Sequence, residues 1–255
     1  MRELIASNKP LSASAGKSTN CHHNPQVSCG DCRLSGICLP ISVHMDDIEK
    51  LDEIIQRGKP LQKGEYLYRA GENFQAVYAV RSGCVKTVSI TNDGQEQVTG
   101  FYLPGEILGM DGLADDSHSN SASALETSAV CEIPFTRLEE LSLKIPSLQR
   151  HFFQLMSKEI TADQELIIQL SKNSAEERIA ALLLSISTRN HHRQLSATHF
   201  RLPMSRSDMG NYLGLTIETV SRVLGRFQKS DLLQVDKKEI TILDMEGLKA
   251  IANVE

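Results

Sequence analysis

SRSDMGNYLGLTIETVSRVLGRF, Ser205 to Phe227, is the stretch on which the fold of this chain turns. Arg206–Leu213 reads as one short helix, Gly214 permits a tight turn, and Thr216 caps a second helix. Ile217, Val220, Leu224 and Phe227 fall on one face of that second helix and are expected to pack inward, leaving Glu218, Ser221, Arg222 and Gly225 on the other. An Arg can hold guanine O6 and N7 with two hydrogen bonds, and a Glu can accept from cytosine N4. The outward set therefore carries the chemistry to read a DNA major groove. Arg206 and Lys229 flank it as candidate phosphate contacts. A helical hairpin that happens to carry an Arg would leave the next segment unexplained: LLQVDKKEITIL reads as a two-stranded wing with Lys237 and Lys238 at its tip.

Charge supports that reading once it is divided along the chain. The net charge is −5 over 255 residues, which suits a nucleic-acid binder poorly. Residues 1–173 hold 16 basic and 22 acidic side chains, whereas 174–255 hold 11 and 10, and 200–230 hold five and two. The basic footprint is local, as DNA contact requires. A hydrophobic content of 40% supports a substantial core and room for two domains. The first twenty residues lack a signal-peptide apolar block, and no stretch reaches the ~20 apolar residues of a membrane span. The expectation is a cytoplasmic protein in which thiols stay reduced.

Upstream of the reader, 60–134 consists of short alternating runs broken by turn residues, among them AVYAVRSGCVKTVSITNDGQ, which indicates a β-barrel or jelly roll. Thr136 with Glu139 reads as a capping box for a short helix, and Ser174 with Glu177 as another. Between them Pro146 opens a long helix through about Lys172. Phe153, Met156, Ile160, Asp163, Ile167 and Leu170 recur in it at steps of three and four, the seam of a coiled-coil dimer contact. The alternative is a single helix lying on its own barrel. The expected fold is α+β: an N-terminal β jelly-roll sensor domain, a long dimerisation helix and a C-terminal winged helix-turn-helix. Its divisions are a flexible tail at 1–28, then 29–145, 146–173 and 174–255.

The remaining signal is Cys29, Cys32 and Cys38, spaced C-x2-C-x5-C, with Cys131 far downstream. Soft thiolates select zinc, copper or iron–sulfur centres. The first pair suits zinc or iron alike. No second C-x2-C and no His-x3-His completes a compact zinc knuckle, and a fourth ligand 93 residues after Cys38 suits a cluster held by two segments. His22, His23 and His44 are the zinc-favouring alternatives, Cys21 reads as a spare thiol, and Cys84 reads as a packing residue. No nucleophile–base arrangement or cofactor loop marks an enzyme, although an iron–sulfur electron-transfer protein or enzyme stays open as an alternative.

GEILGMDGL, the helix after CEIP, SAEER and RSDMGNYLGLTIETVSRVLGRF together resemble the CRP/FNR superfamily of bacterial transcription regulators, from about Cys29 to the wing. The resemblance implies an oxygen sensor with a [4Fe–4S] cluster on Cys29, Cys32, Cys38 and Cys131, which promotes homodimerisation. It also implies inverted repeats of TTGAT-type half-sites read by Glu218, Ser221 and Arg222, and RNA polymerase contact through exposed turns such as Thr91–Gln97. The superfamily's cyclic-nucleotide receptors place an Arg on the phosphate and a Glu on the ribose around a GE-x2-GE turn. Here Met110 stands at the second Glu, and Gly105–Thr136 holds no Arg or Lys, so no cyclic nucleotide is expected. A zinc-stabilised DNA-binding regulator is the other alternative.

Overall fold

The computed structural model describes residues 27–91 and 93–253. Cys21, His22 and His23, with most of the expected tail, lie outside the described residues. After the cysteine loop and one α-helix come eight short strands: β1 (Gln56–Arg57), β2 (Tyr66–Tyr68), β3 (Ala76–Ser82), β4 (Val85–Ile90), β5 (Glu96–Tyr102), β6 (Ile107–Leu108), β7 (Ser121–Ala124) and β8 (Ala129–Pro134). They form two antiparallel sheets of order β1-β8-β3-β6 and β2-β7-β4-β5. The innermost hairpin is β4–β5, and β3–β6, β2–β7 and β1–β8 wrap around it in turn. That nested pairing is a jelly roll, as the alternating runs predict.

The period-two alternation of a strand explains which residues face what. In β3, Val80 meets Tyr68, Val85 and Leu108 between the sheets, while Val77 and Ala79 pack against helices on the outer face. In β8, Val130 points between the sheets and Cys131 and Ile133 point outward with Val77. The outer cover is α1 (Met45–Ile54), α2 (Phe135–Lys144) and the first half of α3 (Pro146–Lys172), through the fully buried Leu51, Leu138 and Leu148. Each such leucine contributes roughly 1.5–3 kcal/mol relative to an exposed one.

The capping box expected from Thr136 does not form. The helix begins one residue earlier, at Phe135, with no side-chain cap. Strand β8 runs straight into it, and the Phe135 N–H is satisfied instead by the Gln75 carbonyl at 2.9 Å. Helix α3 spans the expected residues and does two things at once. Its Leu148 and Phe152 are buried on the jelly roll, while Phe153, Ile160 and Ile167 stand 59%, 57% and 65% exposed. Met156 is half-buried against its own chain's core and Leu170 is half-buried beside Gly214, so these two expected seam positions also serve intramolecular packing.

The reader comprises α4 (Ala175–His192), β9 (His199–Arg201), α5 (Arg206–Leu213), α6 (Ile217–Lys229), β10 (Leu233–Asp236), β11 (Glu239–Ile242) and α7 (Met245–Ala252). Ser174 and Glu177 form the predicted capping box on α4. The wing has three strands rather than two, in the order β10-β11-β9, because alternation in HFR lets Phe200 pair with Ile240 and fill the core. The reader packs on the jelly roll across one continuous core that joins Val88, Val98 and Phe101 to Leu183, Met209 and Leu213. Asn211 donates to the Glu96 carbonyl at 2.7 Å and accepts from the Val98 N–H, and Lys86 pairs with Asp208 at 2.8 Å.

Candidate metal centre and nucleic-acid interface

The four candidate cysteines come from two places, and the fold brings those places together. Cys29–Cys38 lies on a loop of consecutive turns, in which the Ser35 N–H donates to the Cys32 carbonyl and the Cys38 N–H to the Leu34 carbonyl, both at 2.9 Å. Gly30 and Gly36 keep φ outside the left-handed region, so these turns rather than glycine freedom wrap the loop. A short 3-10 helix, Leu39–Ser42, then inserts the fully buried Leu39 under the outer helices. Cys38 and Cys131 thereby enter the same apolar cluster as Leu148 and Phe152 at the start of α3.

Burial acts on these thiols. It raises Cys29 and Cys131 above the ordinary thiol range and pushes Cys38 up to about 12, so without a cation they are neutral. Cys38 lies near enough to Cys131 and Cys32, Cys131 to Cys32, and Cys29 to Cys38, that ionising one thiol disfavours ionising its neighbour. Among the described residues, no three His, Cys, Asp or Glu close onto a common point as the ligands of one ion would. A multi-iron core is several atoms across and holds its ligands further apart than one ion does, and the four thiols suit such a group by the softness of their donors. His44 is exposed ahead of α1. Cys84 is fully buried in the core shared by jelly roll and reader, away from the other thiols.

In the reader, Gly214 sits at φ 64°, ψ 37°, the left-handed turn that Gly adopts at little cost. Ser205 and Asp208 close a capping box on α5, and Thr216 caps α6 by accepting from the Thr219 N–H at 3.2 Å. Val220, Val223, Leu224 and Phe227 are buried, and Glu218, Arg222 and Lys229 are exposed. Ile217 departs from the expectation: as the first residue of α6 it is 48% exposed. Ser221 accepts from Arg206 Nη1 at 3.2 Å, which ties a candidate base contact to a candidate phosphate contact. Its own backbone N–H and then the Thr216 hydroxyl hold the Glu218 carboxyl below its usual range, so it is ionised and ready to accept. Lys238 is tied to the Pro203 carbonyl at 2.6 Å, and Lys237 alone of the pair extends from the wing tip.

Two family models divide the chain: a cyclic nucleotide-binding domain over 59–144 and a Crp-like helix-turn-helix domain over 177–251. The transcriptional activator protein FnrA of Stutzerimonas stutzeri is 52% identical over 227 residues, covering 89% of this chain and 93% of its own length. This chain belongs to the CRP/FNR superfamily. The fumarate and nitrate reduction regulatory protein of Vibrio cholerae is 50% identical over 228 residues, covering 89% of this chain and 91% of its own. Among solved structures, FixK2 of Bradyrhizobium japonicum superposes with a TM-score of 0.71 at 28% identity, over 78% of this chain and 97% of its own. This CRP/FNR member is a DNA-binding transcription regulator with a jelly roll, a long helix and a winged reader. No described helix is long and apolar enough to cross a membrane.

Membership does not settle the ligand, because the superfamily's jelly roll serves different signals. Glu106, the acidic residue of the GE turn, accepts from Arg189 Nε at 2.7 Å and from the Leu103 N–H at 2.8 Å, with Arg193 3.5 Å away. Arg189 lies on α4 of the reader and Arg193 caps its C-terminus. Glu106 is thus engaged in an ion-pair network between jelly roll and reader, and Met110 stands at the second Glu of the turn.

Proposed function

We propose that this regulator is oxygen-responsive, with Cys29, Cys32, Cys38 and Cys131 as the ligands of a [4Fe–4S] cluster. The carrying observation is that Cys38 and Cys131, 93 residues apart, meet in the apolar cluster that anchors the start of α3. When bound, the cluster supplies iron–thiolate bonds that oxygen can destroy. The chain's own residues convert that into association. Leu39, Leu148 and Phe152 hold α3 against the cysteine loop, so tying the loop together fixes the angle at which α3 leaves the jelly roll. Phe153, Ile160, Asp163 and Ile167 then form the seam of a parallel homodimer, with Met156 and Leu170 at its margin.

Asp163 opposes that seam. Asp163 is exposed in the single chain, where partial desolvation already raises its carboxyl above the usual range, and in a two-fold dimer it faces its own copy. The monomer is therefore the default, and the tethered loop supplies the difference. A dimer presents two copies of α6 to an inverted repeat of TTGAT type, with Glu218, Ser221 and Arg222 on base edges and Arg206 and Lys229 on phosphates. RNA polymerase is met by the tip of the β4–β5 hairpin within Thr91–Gln97. Gln97 itself is held by the reader, donating to the Asn211 carbonyl at 2.6 Å, and the exposed side chains of Gln95 and Glu96 are left to meet a partner. The function is regulatory and cytoplasmic rather than enzymatic, and Met110 at the second Glu of the turn, with no Arg or Lys over Gly105–Thr136, argues against a cyclic nucleotide.

Purification without oxygen tests this directly. Broad visible absorbance with iron and sulfide, and operator binding that disappears on exposure to air, is the expected result. A colourless protein that binds zinc and holds its operator in air would overturn the reading in favour of a zinc-stabilised regulator.

A further inference from the structure

Arg57 lies at the join between the two halves of the cysteine site, and nothing in the sequence pattern marks it. It stands on β1 directly opposite Cys131 in the antiparallel register with β8. Its Nη2 donates to the Cys29 sulfur at 3.6 Å and to the Asp52 carboxylate. Asp52, on α1, also accepts the Cys29 backbone N–H at 2.7 Å. A strand, a helix and the cysteine loop are thus joined through one ion pair whose Arg side chain is only 14% exposed. Its Nε is buried with no hydrogen-bond partner. Burying a guanidinium with a donor unpaired is costly, so the position calls for negative charge close by.

We propose that Arg57 is a positioning residue for the cysteine centre: with Asp52 it fixes Cys29 against Cys131 and sets a permanent positive charge beside two of the four thiolates. The proposal rests on the reading of these cysteines as an iron–sulfur site and adds the residues that hold that site together. Four thiolates concentrate negative charge in a largely buried space, so a fixed cation offsets repulsion that apolar neighbours leave unscreened. Asp52 cannot be replaced by an apolar residue in this role, because it both orients the guanidinium and anchors the loop backbone at Cys29. Such partners of metal ligands generally govern retention of the group nearly as strongly as the ligands themselves.

The test uses the full-length chain purified without oxygen, in four forms: parent, Arg57→Gln, Arg57→Lys and Asp52→Asn. Arg57→Gln should lose iron and sulfide to a chelator about 10- to 100-fold faster than the parent. The centre that remains should have a lower midpoint reduction potential, because a positive charge that favours the added electron is gone. Arg57→Lys should restore the potential while only partly restoring retention, since it keeps the charge and loses the planar fork. Asp52→Asn should lower retention with the charge on Arg57 intact. A residue that only braced the loop would change retention without moving the potential. Parent-like retention and potential in Arg57→Gln would overturn the proposal even with an iron-loaded parent. Should the parent hold zinc instead, the iron–sulfur reading falls by itself, and the clamp fails with it only if Arg57→Gln retains zinc as the parent does.

Discussion

In the reader, α4, α5, α6 and α7 each begin with a side chain that accepts from the first turn: Ser174, Ser205, Thr216 and Asp244. On the sensor side, the 3-10 helix after Cys38 and α1, α2 and α3 begin with no side-chain cap at all. Each such cap contributes typically ~1 kcal/mol from residues adjacent in sequence. The reader's helices are therefore determined locally and keep their form wherever the reader is carried. The sensor's helices take their ends from contacts with the jelly roll and the cysteine loop, so a change at the cysteines can reach them. A switch needs one part that responds and one that stays rigid, and the two ends of this chain divide those tasks.

The largest effect that would break this division is expected at the cysteines. Cys131→Ala should abolish anaerobic iron and sulfide and with them operator binding, whereas Cys84→Ala should leave both iron and sulfide in place; normal iron in the Cys131→Ala chain would remove the sensor from the comparison. Next comes the reader's core. Leu183 is fully buried, so Leu183→Ala should cost about 2–5 kcal/mol in denaturant unfolding while anaerobic iron content stays at the parent level. Loss of iron together with stability would show that the two regions are not separable. A smaller effect is expected on the outward face of α6, where Arg222→Ala should cost ~1–3 kcal/mol at one base pair of each half-site and leave other positions unchanged. Equal losses on matched and scrambled operators would make α6 a backbone binder.

The smallest effect is in pH. Partial desolvation raises the Asp163 carboxyl, and burial raises Glu159 as well, against the opposing hydrogen bond from Tyr102 at 2.5 Å. Bringing two Asp163 carboxyls together raises them further, so the dimer binds more protons than two monomers do. Association of the iron-free chain should then strengthen as pH falls through the acid range of these groups, by up to about tenfold per pH unit for each proton taken up. Sedimentation across that range checks it, and association that weakens toward acid would reverse the assigned sign.

The same contrast decides what could be read from the sequence. Ser205, Gly214 and Thr216 make local contacts at fixed offsets, so the reader's two helices and their turn were legible to the residue. The third wing strand and α7 were missed, since three residues and eight give little periodic signal. Thr136 matched a capping pattern, yet the path of β8 overrode it with a backbone bond to Gln75. Ile217 fitted the apolar face by spacing, but as the first residue of its helix it stands half in solvent. The cysteines announced themselves by type. Arg57 and Asp52 did not, because their role depends on a strand register and a helix position that only the folded chain defines.

The central claim is that Asp163 keeps α3 monomeric until the cysteine site supplies enough to close the seam. Sedimentation velocity of the Asp163→Ala chain stripped of iron in air tests it most directly. The account predicts a dimer at concentrations where the iron-free parent is monomeric. A wholly monomeric Asp163→Ala chain, at concentrations where the iron-loaded parent is dimeric, would contradict it.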